Sequence, residues 1–449
     1  MGRFLFVILL TYKETIDYLF KSAPVFEKVG ASAYKPGLET TMALDKHLGC
    51  PHHAFKTIHV AGTNGKGSVS HTLAAILQAA GHRVGLFTSP HLVDFRERIR
   101  VNGEMISEQE VIDFVAQHRS FFEPRHPSFF ELTTAMAFWY FKEQKVDIAV
   151  VEVGLGGRLD STNIITPILS IITNISFDHT QFLGHTLEMI ASEKAGIIKN
   201  GVPVVIGEAN EQTRPVFARM AFERRAPIIF AEDDKIVVGN LGKDSDNPAY
   251  VVDLNVNEGK RYGKNRVAYE LRGYYQEKNA NTIFWACEVL REDGWIKGLG
   301  EIREGFAHVC EMTGLVGRWQ RLQEHPTVIC DTGHNVGGWE YLSVQLKRQS
   351  CRTMRIVFGM VDDKDIDTVL GMLPQQATYY FTQASTHRAI PSTRVAEKAA
   401  AHGLHGMHYP TVAEAYYAAL ADATPDDFIF VGGSSYVVAD LLETLNIES

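Results

Sequence analysis

The sequence predicts an α/β protein with two domains, because strand-like and helical segments alternate in two separate series. The first series runs from an apolar segment at residues 57–61 to another at 227–230, and the second runs from 327–330 to 428–431. Apolar strands that are separated by helices are typical of a parallel sheet covered on both faces. The length of 449 residues also exceeds what one ordinary core requires.

The elements of each series are predicted from apolar runs and from the Gly residues that end them. The first series has a strand at 57–61, a helix at 68–80, and strands at 83–87, 146–151, 169–173, 202–206 and 227–230. The second series has strands at 327–330, 355–358 and 428–431, and a helix at 279–291 precedes it. Asp, Asn, Gly and Lys are frequent over 233–272, which predicts a hairpin-rich insert. The Gly-rich segment 314–318 divides the chain into predicted domains at 1–314 and 315–449.

The composition favours a cytoplasmic protein without a membrane or nucleic-acid partner. A net charge of −9 argues against nucleic acid, which usually requires a basic face. Five scattered cysteines without CxxC spacing argue against disulfides and against a zinc site. The apolar run at 4–10 is short and lacks a cleavage motif, and no later run reaches the roughly 20 apolar residues of a membrane helix.

The loop Gly62-Thr63-Asn64-Gly65-Lys66-Gly67-Ser68 predicts an ATP site, because it follows a strand and opens a helix. Backbone N–H groups of such a loop converge on phosphate oxygens, and Lys66 adds a positive charge. The spacing departs from the common phosphate-loop pattern, since Gly67 follows the lysine and Ala61 stands five residues before it. The alternative is a Gly-rich turn of a doubly wound fold. The residues predicted to contact the nucleotide are Asn64, Gly65, Lys66, Gly67 and Ser68.

Three further residues of the first series are candidates for the same site. Glu152 ends a strand, where a carboxylate can hold Mg²⁺, although a solvated strand end is the alternative. His179 follows the strand at 169–173, and Asp178 could orient its ring; a structural histidine is the alternative. Lys194 lies in a helical segment, and its spacing alone does not distinguish it from a solvated lysine.

Polar residues also cluster around the predicted domain boundary. Arg318, Asp331 and His334-Asn335 lie in or beside loops with glycines, and such loops can face a cleft. The segment Gly432–Tyr436 ends another strand and offers backbone donors to a carboxylate. A tight strand–helix turn is the alternative for both loops.

Together these segments resemble the folylpolyglutamate synthase and dihydrofolate synthase family, a branch of the Mur-type ATP-dependent ligases. The resemblance extends from about residue 34 to the C-terminus. It is carried by GTNGKGS at 62–68, TSPHLVDFRERIRVNGEMIS at 88–107, EVGLGGRLDSTN at 152–163, the segment 177–199, YQEKN at 275–279, GR at 317–318 and DTGHN at 331–335. It implies a P-loop-type ATPase domain with a mostly parallel sheet and a smaller, C-terminal Rossmann-like glutamate-ligase domain.

The resemblance implies a role for each matching residue. Magnesium ligands are expected at Ser89, Glu152 and His179, together with Lys194 in a carbamylated form. Contacts around the nucleotide are expected at Asn279, Arg318 and Asp331. Pterin-side contacts are expected at Ser128, Phe129, Phe130, Glu131, Arg158, Leu159 and Asp160. The incoming glutamate is expected at His334 and Ser434, and the catalytic set is Lys66, His179, Lys194 and His334.

The implied reaction joins L-glutamate to dihydropteroate, to folates, or to both. ATP would phosphorylate a carboxylate, and the glutamate amine would displace phosphate from the acyl phosphate; a monomer using ATP and Mg²⁺ is expected. Three alternatives remain open at this stage: chain extension on folates alone, a ligase for another carboxylate, and a P-loop NTPase that acts on a macromolecular partner.

Overall fold

The computed structural model describes residues 11–22, 37–240, 249–253 and 264–447, and its first half is built on an eight-stranded sheet. The strands are β1 (Lys56–Ala61), β2 (Val84–Phe87), β3 (Ile99–Val101), β4 (Glu104–Met105), β5 (Ile148–Glu152), β6 (Leu169–Ile172), β7 (Val204–Ile206) and β8 (Ile228–Phe230). Their order is β4-β3-β2-β5-β1-β6-β7-β8. Six strands pair in parallel, whereas β3 and β4 form an antiparallel edge.

Helices cover both faces of this sheet. They are α1 (Tyr12–Ser22), α2 (Glu39–His47), α3 (Lys66–Ala79), α4 (Glu108–Phe122), α5 (Phe129–Glu143), α6 (Thr180–Leu183), α7 (Leu187–Ala195), α8 (Arg214–Glu223), α9 (Gln276–Glu292), α10 (Leu299–Ala307) and α11 (Val309–Thr313). Alternate residues of a strand point to opposite faces. Accordingly, Ile148 and Val150 of β5 pack with α3 and α9, whereas Ala149 and Val151 pack with α5. This two-sided burial explains why β5 is apolar until its last residue.

A separate antiparallel sheet lies within residues 233–272. Its strands are β9 (Val237–Asn240), β10 (Ala249–Asp253) and β11 (Lys264–Ala268), in the order β11-β10-β9. The helix predicted at 279–291 begins earlier in the structure, at Gln276. The prediction missed its first turn because that turn is polar and shows no apolar periodicity.

The second half is built on a six-stranded sheet. Its strands are β12 (Gln320–Gln323), β13 (Thr327–Asp331), β14 (Met354–Phe358), β15 (Thr378–Phe381), β16 (Gly406–His408) and β17 (Phe428–Gly432). Its helices are α12 (Val336–Lys347), α13 (Ile366–Met372), α14 (Ser392–Ala401), α15 (Val412–Ala421) and α16 (Ser435–Thr444). The order is β12-β13-β17-β14-β15-β16, and only β12 pairs antiparallel. The predicted α/β class with mostly parallel sheets is confirmed.

The strands that the sequence pattern misses lie at or near sheet edges: β3 and β4 in the first sheet, and β12, β15 and β16 in the second. All three residues of β16 are exposed, and β12 is only half-buried, so neither strand forms a continuous apolar run. The apolar segment at 4–10 and residues 34–36 lie outside the described residues. Among the helices of the described ranges, none combines the length and the apolar character that crossing a membrane requires.

Candidate active site

The phosphate loop lies between the end of β1 and the start of α3, and two of its glycines are sterically required. Gly62 has a φ of +149°, and a Cβ there would lie 1.8 Å from Oγ1 of Thr173. Gly65 has a φ of +84°, and its Cβ would lie 2.3 Å from Oδ1 of Asn279. Because α3 begins at Lys66, its first N–H groups have no partner within the helix and can bind an anion.

The ammonium group of Lys66 is folded back onto this loop. Its Nζ donates hydrogen bonds to the carbonyl oxygens of Gly62 and Thr63, each at 3.2 Å, and lies 3.9 Å from Oε1 of Glu152. Glu152 is buried at the end of β5, where burial raises the pKa of its carboxyl and the charge of Lys66 opposes the shift. The backbone N of Ser89 donates to Oε2 of Glu152 at 3.4 Å, so Ser89 lies beside this carboxylate.

His179 and Lys194 line the same cavity as Gly62 and Lys66 of the phosphate loop. Burial lowers the pKa of His179 to about 3, so its imidazole is neutral at physiological pH, the form that binds metals. Lys194 of α7 is also buried, and its Nζ donates to the carbonyl oxygen of Gly62 at 2.7 Å. Burial lowers the pKa of Lys194 to about 7, and the nearby charge of Lys66 adds to this effect.

The predicted metal ligands supply donor types that a magnesium site completed by substrate phosphates would use. No cluster of three or more His, Cys, Asp or Glu side chains suited to a metal occurs in the ranges that the structure describes. Protein-bound Mg²⁺ commonly takes only one or two carboxylates, together with phosphate oxygens and water. Glu152 and Ser89 line one cavity, and Ser89 also lines the cavity of His179. The residues present therefore supply a carboxylate, a hydroxyl and a neutral imidazole.

Asp331 lies at the end of β13, where it joins the two halves of the molecule. Its carboxylate accepts hydrogen bonds from the hydroxyl of Tyr275 at 2.6 Å and from the backbone N of Trp319 at 2.7 Å and of Gly333 at 2.8 Å. Burial raises the pKa of Asp331, and these donors oppose the shift. Tyr275 directly precedes α9, so the carboxylate links this helix to the second sheet.

Arg318 and Asn279 lie against the phosphate loop. A Cβ at Gly67 would lie 3.4 Å from Nη2 of Arg318, which places the guanidinium beside the start of α3. Asn279 donates to Oε1 of Gln276 at 2.8 Å, and Gln276 donates to Oγ of Ser68 at 3.1 Å. The first turn of α9 is thus hydrogen-bonded to the first turn of α3.

His334 and Ser434 come from loops at the carboxyl ends of β13 and β17. Nδ1 of His334 lies 3.1 Å from the carbonyl oxygen of Thr332, and its Nε2 lies 3.7 Å from Oδ2 of Asp178. Ser434 is buried and caps α16 by accepting a hydrogen bond from the backbone N of Val437 at 3.2 Å. Its side chain therefore has a structural partner. Ser434 also lines the main cavity of the molecule, which has a volume of about 250 Å³.

The predicted pterin-side residues at the start of α5 include two that cap the helix and two aromatic residues that line the main cavity. Ser128 and Glu131 form a capping box, in which each side chain binds the backbone N–H of the other. Phe129 and Phe130 line the main cavity, and the ring of Phe129 also stacks on Phe20, with ring centroids 4.9 Å apart. The ring of Phe130 packs so closely on Gly154 that a Cβ there would lie 2.5 Å from Cζ.

The second pterin-side segment separates in the same way. Leu159 and Asp160 line the main cavity, whereas Arg158 is largely exposed and forms an ion pair outside it. The buried carboxylate of Asp160 accepts hydrogen bonds from the backbone N of Leu155 at 2.8 Å and of Thr162 at 3.0 Å. Asp160 therefore shapes the glycine-containing loop after β5 as well as facing the cavity.

One cavity of about 250 Å³ brings most of the predicted residues together. Its N-terminal wall includes Gly62, Thr63, Lys66, Ser89, Ser128, Phe129, Phe130, Leu159, Asp160, His179 and Lys194. Its C-terminal wall includes His334, Val361, Lys364, Arg388, Ser434, Ser435 and Tyr436. Glu131 and Arg158 lie off this cavity, while Glu152 and Arg318 line a smaller one of about 90 Å³ that shares Ser89 and His334.

Three cationic residues of the main cavity were missed by the sequence reasoning. Arg98 is almost fully buried, and its Nε donates to Nδ1 of His91 at 2.6 Å. Lys364 follows β14 and Arg388 follows β15, at the edge of the sheet where parallel strands end. That position after a strand is the signal that could have identified Lys364, since β14 was predicted; the same signal for Arg388 required β15, which was not predicted.

The comparison with protein-family models assigns a class to this fold and site. Residues 60–280 match the Mur ligase middle domain, and residues 317–435 match the Mur ligase, glutamate ligase domain. The chain is therefore an ATP-dependent ligase that forms amide bonds. Within that class it belongs to the folylpolyglutamate synthase and dihydrofolate synthase family, as its relatives show.

Two curated relatives and one solved structure carry this assignment. The chain is 33% identical to the dihydrofolate synthase/folylpolyglutamate synthase of Escherichia coli, over 91% of each chain. It is 32% identical to a probable bifunctional folylpolyglutamate synthase/dihydropteroate synthase of Haloferax volcanii, of which it spans only 50% while 97% of this chain is covered. A structure of E. coli FolC in complex with DHPP and ADP superposes with a TM-score of 0.80 and 30% identity, covering 97% of this chain and 98% of the other.

Proposed function

We propose that this chain ligates L-glutamate to dihydropteroate and to folates, with ATP as the source of the activating phosphoryl group. One observation carries the proposal: a single cavity joins the phosphate loop, an aromatic wall and a cationic wall. The phosphate loop with Lys66 suits ATP, the rings of Phe129 and Phe130 suit a flat pterin or aminobenzoyl group, and the cations suit carboxylates. An amide ligation between such substrates requires all three.

The order of events follows from the chemistry of a carboxylate. Its oxygen is a poor leaving group, so the acceptor carboxylate first attacks the γ-phosphorus of ATP, which forms an acyl phosphate and releases ADP. The neutral amine of glutamate then attacks the acyl carbon, the C–N bond forms, and phosphate leaves with the former carboxylate oxygen. Lys66 and the first N–H groups of α3 would offset the negative charge that develops during phosphoryl transfer.

Magnesium is the expected metal at Ser89, Glu152 and His179, and when bound it would neutralise phosphate charge. The family resemblance further implies that Lys194 is carbamylated. That reaction joins the neutral ε-amine to CO₂ and releases a proton, and the burial of Lys194 favours the neutral amine. Its position 2.7 Å from the carbonyl oxygen of Gly62 would bring the resulting carboxylate to the phosphate loop.

The incoming glutamate is assigned to the C-terminal wall. Lys364 and Arg388 are cations that its two carboxylates can bind, and His334 is placed to orient it. Neither Lys364 nor Arg388 belongs to the phosphate loop, so nucleotide and glutamate would have separate recognition groups. Closure of this wall would exclude water from the acyl phosphate.

Separate assays of each acceptor test the proposal. Purified protein receives ATP, Mg²⁺ and radiolabelled glutamate with either dihydropteroate or tetrahydrofolate, and labelled product and phosphate are both measured. We expect product with both acceptors; product with tetrahydrofolate alone would indicate a folylpolyglutamate synthase only. Phosphate release that neither acceptor plus glutamate changes would contradict the ligase function and favour an NTPase.

The carbamate is tested by replacing Lys194 with alanine. We expect activity to fall and to recover when short-chain carboxylates are added, because they can occupy the space left by the side chain. A fully active variant would contradict the carbamate. A cytoplasmic location, a monomeric state and the absence of nucleic-acid partners stay predictions.

A further inference from the structure

Asn335 occupies a buried junction between the two halves of the molecule. As the N-cap residue of α12, it accepts a hydrogen bond through Oδ1 from the backbone N of Gly338 at 2.9 Å. The same oxygen accepts from Nδ2 of Asn64 at 3.1 Å, while Nδ2 of Asn335 donates to Oδ1 of Asn64 at 2.9 Å and to Oδ2 of Asp178 at 3.2 Å. Two acceptor and two donor positions of the amide are thus all used.

The partners of Asn335 belong to two different loops of the first half, after β1 and after β6. Asn64 is part of the phosphate loop, where its backbone N donates to Oδ1 of Asn174 at 2.9 Å. Asp178, whose side chain is 9% exposed, also accepts from Nζ of Lys364, a cation of the C-terminal wall, at 2.5 Å. A continuous set of hydrogen bonds therefore runs from the phosphate loop through Asn335 and Asp178 to Lys364.

Helix capping alone does not explain this arrangement. A cap needs only the side-chain oxygen, and serine caps helices as well as asparagine does. The amide nitrogen of Asn335 instead makes both of its bonds across the junction, to Asn64 and Asp178. Separating the two halves would break the hydrogen bonds of Asn64, Asp178 and Asn335 at the same time. Because buried polar groups without partners cost free energy, these bonds favour the closed junction.

We propose that Asn335 is a positioning residue that holds the C-terminal wall, through Asp178 and Lys364, against the phosphate loop. This role rests on the proposed ligase function. Glutamate must reach the acyl phosphate before water does, since attack by water returns the carboxylate and phosphate and wastes the ATP. When the junction is intact, the wall is closed while the acyl phosphate exists, and each phosphate released corresponds to one amide bond.

The substitution Asn335→Ser tests the role, because serine keeps the cap oxygen and removes the amide. The measurements are phosphate released per amide bond formed and the KM values for glutamate and ATP. We expect the ratio to rise from one to about two or more, and the KM for glutamate to rise roughly fivefold to twentyfold with little change for ATP. A smaller folded fraction would lower kcat but leave the ratio at one.

Two further variants make the result specific. Asn335→Asp keeps the cap and places a second carboxylate beside Asp178, so we expect a larger ratio than in Asn335→Ser. Tyr341→Phe is the matched control, because it removes another hydrogen bond from α12 to the first half, the contact with Oε2 of Glu208 at 3.4 Å. We expect Tyr341→Phe to keep the ratio at one.

The outcomes separate this inference from the proposed function. If Asn335→Ser releases one phosphate per amide bond and has an unchanged KM for glutamate, Asn335 acts only as a helix cap. That result would overturn the inference but not the proposed ligase function. Equal uncoupling in Tyr341→Phe would also overturn it, because any weakening of the junction would then suffice. If Asn335→Ser does not fold, Asn335→Asp, which also keeps the cap oxygen, carries the same measurements. A wild-type protein that forms no amide bond would refute the proposed function itself.

Discussion

The two walls of the main cavity are built by different means. At the N-terminal wall, the phosphate loop is shaped by its backbone: Gly62 and Gly65 have positive φ values, and a Cβ at either position would clash. The C-terminal wall is shaped by charged side chains, with Lys364 paired to Asp178 at 2.5 Å and Arg388 paired to Asp363 at 2.6 Å. Backbone geometry can change only if the core moves, whereas a paired cation still has donors for a substrate carboxylate. The first wall is therefore suited to a constant ligand and the second to one that arrives later.

Removing the positive charge of Lys66 from the first wall should have the largest effect. In Lys66→Met we expect kcat to fall by about 10²- to 10³-fold, the usual cost of losing one group that stabilises transition-state charge. ADP release in the presence of both substrates measures it, and circular dichroism verifies folding. Lys56→Met is the control, since Lys56 is exposed at the opposite end of β1 and should leave kcat unchanged. Equal activity of the two variants would remove Lys66 from the mechanism.

Adding a side chain to the first wall should cost stability. In Gly62→Ala the new Cβ would lie 1.8 Å from Oγ1 of Thr173, so we expect the free energy of unfolding to fall by about 2–4 kcal/mol. Gly81→Ala is the control that measures the cost of a positive φ without a clash. Gly81 has a φ of +89°, and no atom lies within 4 Å of the position that a Cβ would take. Urea unfolding should show the smaller loss in Gly81→Ala. Losses of equal size would mean that the loop moves to accommodate the methyl group.

Lys194 should make stability depend on pH. Burial lowers its pKa from 10.5 to about 7, so the unfolded chain binds more protons between these values. Stability should therefore rise with pH above about 7 and be lost as pH falls, with a slope of up to about 1.4 kcal/mol per pH unit from this group. Urea unfolding in CO₂-free buffer from pH 6.5 to 9 measures the slope. Lys194→Met should flatten it, and an unchanged slope would show that the lysine is charged in the folded protein.

Removing a charge from the second wall should have the smallest effect and should be selective. In Lys364→Met we expect the KM for glutamate to rise about tenfold, the result of one lost charge-assisted hydrogen bond, while the KM for ATP changes little. Lys398→Met is the control, because it breaks the exposed ion pair with Asp367 in the same half of the molecule. Steady-state kinetics with each substrate varied distinguish the two. If Lys364→Met raised the KM for ATP as much as the KM for glutamate, the assignment of ATP to the first wall and glutamate to the second would be contradicted.

The sequence predicted the central strands and the phosphate loop, because their signals are local. The strand β1, the loop at 62–68 and the helix α3 are continuous in the chain, so apolar burial, glycines and lysine are read in a single segment. The edge strands β12 and β16 escaped detection because half-buried and exposed residues carry no apolar run. Arg158 and Glu131 match pterin-side positions of the family. In the structure, Arg158 forms an ion pair with Glu193 at the surface, and Glu131 belongs to the capping box of α5.

By itself, then, the sequence determined the α/β class, the position of the phosphate loop and the family. Those features depend on patterns within a few tens of residues, in which burial and backbone conformation follow from residue type. Only the tertiary structure decided which loops meet: Asn64 and Asn335 are separated by 271 positions, and Asp178 and Lys364 by 186. Their contact depends on how two sheets pack, and a pairing of polar side chains across a junction leaves no period or spacing in the chain.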